Sequence, residues 1–281
     1  MTTRADAHMH LFEGGFQGGS FASRPGVRLD ETACYASLAR EFQVESALVI
    51  GYEAQPWCAG NNEFIARLAA RQSWIHPLAF VSNGQISEER LQTLRAKGFI
   101  GISLYITDEE SLAGLERIPA GVWKLLESWG WLVSVNSRPP RWKIWSSLLK
   151  DHPNLRLLVS HLGLPPQVRH APGRAEAGAA MSGITDLAGF PFVHVKLSGF
   201  YALSDPGFAY PHRAAWPYVE SLLATFGSLR LLWASDFSPC LDSVTFPQTI
   251  GVIDEMDFLT DEDRALIGGA NCLRLIQGIK S

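Results

Sequence analysis

The sequence predicts an α/β chain closed into a single (β/α)8 barrel of the TIM type, with residues 1–281 forming one domain. Three observations predict it. Eight short, apolar, β-branched runs alternate with amphipathic segments. No two successive runs are joined by a two-residue hairpin turn. The longest connections all follow the carboxyl ends of runs, where a barrel builds its site.

The runs fall at 5–10, 46–50, 75–81, 99–105, 131–136, 155–161, 192–198 and 229–236. Most are continuously apolar, as expected of parallel strands covered on both faces. Between them, 30–41, 62–71, 87–96, 119–129, 142–150 and 217–226 read as helices. Ser87 is a good N-cap for its helix and Gly98 a suitable stop. Thr260-Asp261-Glu262-Asp263 approaches a capping box and opens a final helix running to Gln277. The long connections are 11–29, 162–188 and 199–216. An open, doubly wound sheet is the competing arrangement, but no Gly-x-Gly-x-x-Gly or Walker-type loop follows any strand.

The chain of 281 residues is 47% hydrophobic and 19% charged, with a net charge of -4. That supplies a large core and no basic field to attract nucleic acid or an anionic membrane surface. The first eight residues lack the apolar core of a signal peptide, and no apolar run approaches the roughly 20 residues that span a bilayer. Cys34, Cys58, Cys240 and Cys272 form no Cys-x-x-Cys pair. Reduced, buried thiols in a cytoplasmic protein are the expectation, because a chain of this size needs no disulfides.

Asp6-Ala7-His8-Met9-His10 is the sharpest local signal. Alternation along a strand puts residues two apart on one face, so both imidazoles can reach one metal ion. Alone, such a pair is as often two unrelated histidines. Two further strand ends raise its weight. His161 ends the apolar run Leu157-Leu158-Val159-Ser160, and Asp236 ends Leu231-Leu232-Trp233-Ala234-Ser235. A polar or charged group ending such a strand is costly unless it is paired, solvated or metal-bound. The plainer readings are a satisfied core histidine for His161 and a helix cap or ion pair for Asp236. Together the four residues describe one mouth of one barrel.

The ordered set of motifs resembles the amidohydrolase superfamily, in its amidohydrolase-related branch and closest to the lactonase group. The resembling pieces are Asp6-Ala7-His8-Met9-His10, the stretch 152–163 around His161, and Val195-Lys196-Leu197-Ser198-Gly199. Trp233-Ala234-Ser235-Asp236-Phe237-Ser238-Pro239 and the stretch 267–274 complete them, from first strand to last helix. The resemblance implies metal ligation by His8, His10, His161 and Asp236, with His161 and Asp236 also catalytic. His161 would ligate the ion or polarise the substrate, and Asp236 would shuttle a proton. No lysine on strand four or five is in place to bridge two ions, so one divalent ion is expected, zinc first and manganese as the alternative. Some lactonases of the branch work without a tightly held metal, and that variant stays open.

The resemblance also implies hydrolysis of a small lactone, cyclic ester or amide. The alternatives are a metal-dependent decarboxylase of an aromatic or semialdehyde acid and, third, a barrel that only binds its ligand. His194, Lys196 and Ser198 share a face that should point into the barrel, which brings Lys196 near the mouth as a substrate-binding candidate or into an interior ion pair. Tyr105, Asn136, Arg138, Arg169 and Arg174 are the other substrate-binding candidates, with Arg24, Arg28 and His170 on the same loops. Arginine suits bidentate recognition of carboxylates, so a small anionic or polyhydroxylated substrate is expected. Phe12, Phe16, Trp57, Phe200, Tyr201 and Tyr210 could wall a ring. A homodimer is compatible with such a barrel, although no sequence feature demands it.

Overall fold

A computed structural model of the chain describes residues 3–19, 28–82 and 86–279. Among them, eight parallel strands form one sheet in the order of the sequence. They are β1 (Arg4–Met9), β2 (Val44–Ile50), β3 (Ile75–Phe80), β4 (Gly101–Ile106), β5 (Leu132–Ser137), β6 (Arg156–Val159), β7 (Val193–Leu197) and β8 (Leu231–Trp233). The sheet curls until β8 meets β1, where Asp236 N–H donates to His8 O at 2.8 Å and His10 N–H to Phe237 O. This is the expected (β/α)8 barrel.

The helices around the sheet and at its ends are α1 (Glu31–Glu41), α2 (Asn61–Ala69), α3 (Glu88–Ala96), α4 (Glu109–Glu116), α5 (Ala120–Trp129) and α6 (Ile144–Asp151). They continue with α7 (Arg174–Thr185), α8 (Phe200–Leu203), α9 (Trp216–Phe226), α10 (Phe246–Asp254), α11 (Asp261–Ala265) and α12 (Asn271–Gln277). Ser87 caps α3 by accepting from Arg90 N–H, as its position suggested. Helices α7 and α8 fall inside the expected long connections 162–188 and 199–216, and helices α4 and α10 fall where the sequence reading had none. Each of the last two opens on a reciprocal cap, Asp108 with Ser111 and Thr245 with Gln248.

Alternation along the strands sorts two cores. Ile102, Leu104, Val133, Val135, Val193, Val195 and Trp233 face the helices. Ala5, Ala7, Leu48, Leu78, Leu132, Leu158 and Leu232 fill the barrel, together with Cys272 and Leu275 of α12. Helix α12 therefore plugs the end opposite the strands' carboxyl termini.

Three expectations are corrected. The final helix is not continuous: a π-helical turn over 266–270 separates α11 from α12. Gly269 lies there against the start of β1, where a Cβ would come within 2.5 Å of Thr3 O. The eighth strand is also shorter than 229–236, because 228–230 form a 3-10 turn and the chain leaves the sheet before Asp236. All four cysteines are free thiols, with Cys34 exposed rather than buried. No helix of the described residues is long and apolar enough to cross a membrane.

Candidate active site and metal centre

Strand β1 delivers His8 and His10 through a bulge. Its pairing with β2 runs Asp6↔Ala47 and then Met9↔Val49, so β1 carries one extra residue between them. Asp6 thereby turns away from the histidines, toward Tyr35 of α1 and Ser235 beyond β8. His8 and His10 remain together, with their Nε2 atoms 3.1 Å apart.

His161 and Asp236 both have left-handed backbones, with φ of 52° and 57°. Non-glycine residues there cost about 1–3 kcal/mol, and such strain concentrates at functional sites. In each case the chain has just left a strand, and the turn swings the side chain over the barrel end. Asp236 Oδ1 lies 3.6 Å from His8 Nε2 and 3.8 Å from His10 Nε2. Asp236 Oδ2 lies 4.0 Å from His161 Nδ1. One ligand atom each from His8, His161 and Asp236 falls within 4.8 Å of the others, and all three residues are buried.

Burial dominates the electrostatics. It holds His8 well below its ordinary range, aided by Lys196, and pushes His10 down to about 4 and His161 to about 3. The three imidazoles are therefore neutral at pH 7, the form that donates a lone pair. Burial pushes Asp236 up to about 6, against the opposing pull of His10, the Tyr201 hydrogen bond and Lys196. Burial also brings Lys196 down to about 7.

The other expected site residues scatter. Lys196 is fully buried beneath the histidines, donating to Ser134 Oγ at 2.7 Å and lying 3.2 Å from His8 Nδ1. An inward-facing residue in mid-strand ends inside the barrel, so Lys196 supports His8 from below and does not stand at the rim. Its partners are an imidazole and a hydroxyl, not the carboxylate of an ion pair. Tyr105 and Asn136 are register partners on β4 and β5, both part-buried at the carboxyl end. Tyr105 packs on Tyr52 and Phe80 with ring centroids 5.0 and 5.8 Å away. Burial and the charge of Asp236 hold its phenol protonated.

Among the described residues, the expected arginines do not converge on this centre. Arg138 is exposed. Arg169 pairs with Asp205 at 2.9 Å in solvent, and His170 beside it is exposed. Arg174 opens α7 and lines an outer cleft with Pro217 and Glu220 of α9. Arg28 lies over Gly14 in the first loop, and Arg24 falls outside the described residues. Of the aromatic candidates, Phe12 stacks on His10 at 5.7 Å, and Phe16 and Trp57 pack around Phe12. Phe200 is buried against His212, and Tyr210 approaches Gly251 of α10.

Three contributors escaped the sequence reading. Ser198 Oγ lies 2.9 Å from His161 Nδ1. Tyr201, expected only as an aromatic wall, donates its hydroxyl to Asp236 Oδ2 at 2.5 Å. Glu31 is buried and accepts from Phe12 N–H at 2.8 Å and Phe16 N–H at 2.7 Å, which seats the first loop on His10. The signal for Glu31 was available, because an acidic residue opens α1 directly after a long loop. Nothing local to Ser198 or Tyr201 points to their partners.

The donor set fits a divalent cation. His10 Nδ1 hydrogen-bonds Ile50 O at 2.7 Å, so Nδ1 carries the proton and the Nε2 lone pair faces the site. Two neutral imidazoles and one carboxylate oxygen, 3.1, 3.6 and 3.8 Å apart, approach the roughly 3.4 Å edge of a zinc tetrahedron with bonds of about 2.1 Å. His161 stands next to this triangle.

The sequence matches the family model described as Amidohydrolase over residues 5–277. The chain belongs to the amidohydrolase family. Part of the chain is similar to part of one lactonase. That relative, an L-fucono-1,5-lactonase of Burkholderia ambifaria, is 40% identical over 90 residues, which span 31% of this chain and only 28% of the relative. The fold is shared with a zinc-bound amidohydrolase structure from Burkholderia multivorans, at 16% identity, TM-score 0.79 and coverage of 98% and 99% of the two chains. It is shared also with an Acinetobacter baumannii structure named as a probable 2-pyrone-4,6-dicarboxylic acid hydrolase with citric acid bound. That pair is 18% identical, with TM-score 0.73 and coverage of 98% and 99%.

Proposed function

We propose that this amidohydrolase opens a small polyhydroxylated lactone by water attack on the ring carbonyl, with Asp236 moving the proton. The observation that carries the reading is the convergence of two neutral imidazoles, His8 and His10, on one oxygen of a buried carboxylate with raised proton affinity. His8, His10 and Asp236 would hold one divalent cation, zinc in the first instance. When bound, it supplies positive charge that polarises a carbonyl and makes a water more acidic.

Asp236 accepts a proton from the attacking water as the C–O bond forms at the carbonyl carbon. It returns that proton to the ring oxygen as the acyl C–O bond breaks, giving the open hydroxy acid. A carboxylate whose affinity lies near neutrality suits both transfers. His161 serves from Nε2. With the Ser198 hydroxyl donating to Nδ1, Nε2 carries a proton for the carbonyl oxygen; with the hydroxyl accepting, Nε2 offers its lone pair.

The surroundings favour a polyhydroxylated ring over a carboxylated one. Arg138, Arg169 and Arg174 lie in solvent or in other pairs, whereas the part-buried Trp57 and Tyr105 offer ring faces at the mouth. The L-fucono-1,5-lactonase relative supports the same class. The amide reading has no separate observation behind it.

The test is turnover of L-fucono-1,5-lactone in a pH-indicator assay with CO₂ detection alongside. Ring opening releases a proton without CO₂, and Asp236→Asn lowers kcat by about 10²–10⁴-fold while the protein stays folded. Release of CO₂ from carboxylated substrates, or full turnover by the Asn variant, would refute the proposal.

A further inference from the structure

The two oxygens of Asp236 have different partners. Oδ1 faces His8 and His10 at 3.6 and 3.8 Å, while Oδ2 accepts the Tyr201 hydroxyl at 2.5 Å. The backbone of Asp236 is already fixed by its N–H bond to His8 O. What remains free is the carboxylate torsion, a broad two-fold rotor. A short hydrogen bond from a phenol to an ionised oxygen is among the stronger neutral-to-charged contacts and locks that rotor.

Tyr201 is well placed for the task. It lies on α8, directly past the Ser198–Gly199 exit of β7, so the same segment that holds His161 through Ser198 also holds Asp236. Gly199 permits this arrangement: its φ is +67°, and a Cβ would stand 2.8 Å from His161 Nδ1.

We propose that Tyr201 is a positioning residue that holds Oδ2 and commits Asp236 to act through Oδ1 alone, both toward a cation and in proton transfer. Without it either oxygen could face the histidines, and the carboxylate would divide its time between orientations. The kinetic consequence rests on the hydrolase reading above; the orientation of the carboxylate does not.

Tyr201→Phe removes one oxygen atom and keeps the ring, so it separates the hydrogen bond from packing. In a crystal structure of the variant, the Asp236 carboxylate is rotated about Cβ–Cγ or split between two orientations. Zinc affinity by equilibrium dialysis falls about 10- to 100-fold, and kcat on L-fucono-1,5-lactone falls by a similar factor with KM within about twofold of wild type. An unchanged carboxylate orientation with wild-type zinc affinity overturns the proposal. Failure of the wild type on the lactone would count against the substrate reading alone, because carboxylate orientation still decides for or against Tyr201.

Discussion

The carboxylate of Asp6 stands in for ladder bonds where β8 returns to β1: Ser235 N–H donates to Asp6 Oδ1 at 2.9 Å, and the Ser235 hydroxyl donates to Oδ2. His8 N–H adds a bond to Oδ1 at 3.1 Å, and Tyr35 OH one to Oδ2 at 2.8 Å. Asp6 is fully buried, and burial pushes it up to about 6 even though all four donors pull the other way. The β1 bulge that turns Asp6 toward β8 thus closes the barrel and shapes the backbone of His8.

Asp6→Ala should therefore destabilise the fold by at least about 3 kcal/mol, because it strands several buried donors at once. Tyr35→Phe, which removes one donor and leaves Asp6 three others, should cost about 1 kcal/mol. Urea denaturation measures both. A loss under about 1 kcal/mol for Asp6→Ala would show that closure does not depend on this carboxylate.

Gly199→Ala should reduce kcat roughly 10- to 100-fold, since a Cβ placed 2.8 Å from His161 Nδ1 and 3.0 Å from its Cγ must displace the ring. The left-handed φ of +67° adds a stability penalty, visible as a lower Tm. Kinetics and thermal melts on the same sample read both effects. Wild-type turnover in a folded Ala variant would mean that His161 needs no fixed position.

Zinc should raise Tm by mass action, equivalent to about 2.7 kcal/mol at a hundredfold excess over Kd. His10→Gln should remove most of that shift, because the Ile50 carbonyl orients the His10 Nε2 lone pair toward the site. Thermal melts with and without zinc measure it. Equal zinc shifts in wild type and variant would take His10 out of the ligand set.

Acid should destabilise the protein through histidines far from the site as well as in it. Burial pushes His194 down to about 4, so between that value and about 6.5 the unfolded chain binds a proton that the folded chain refuses. The sign follows directly: stability is full above about 6.5 and falls as pH drops toward 4. His194→Gln should flatten this part of the Tm-versus-pH curve, and an unaltered slope would mean that His194 titrates normally in the folded state.

Much of the barrel was legible because its signals are local and repeated. The runs at 75–81 and 131–136 needed only apolar character and the absence of hairpin turns to be read as parallel strands. Helix α3 followed from Ser87 and Gly98. Helices α4 and α10 were missed because their apolar residues are few or run into neighbouring turns, while their reciprocal caps lie within three residues of exposed loop. The π turn before α12 depends on Gly269 meeting Thr3, a contact across almost the whole chain.

The candidate site divides in the same way. His8 and His10 were visible together because two residues of one strand share a face. His161 and Asp236 stood out because each is a polar ending to an apolar run. Lys196 was placed on the correct face but at the wrong height, since strand periodicity fixes direction and says nothing of depth within the barrel. The arginines were placed on the catalytic-face loops, but loop composition does not determine where a long, flexible side chain ends.

The sequence by itself determined the eightfold alternation, the direction of the strands and the histidine and aspartate that end them, because period, turn chemistry and the cost of burying charge act within a few residues. Only the tertiary structure decided that Asp6 closes the barrel on Ser235, that Lys196 lies beneath His8, and that Tyr201 holds the far oxygen of Asp236. Those pairings join residues 35 to 229 positions apart. They are set by strand stagger and barrel closure, which no local pattern encodes.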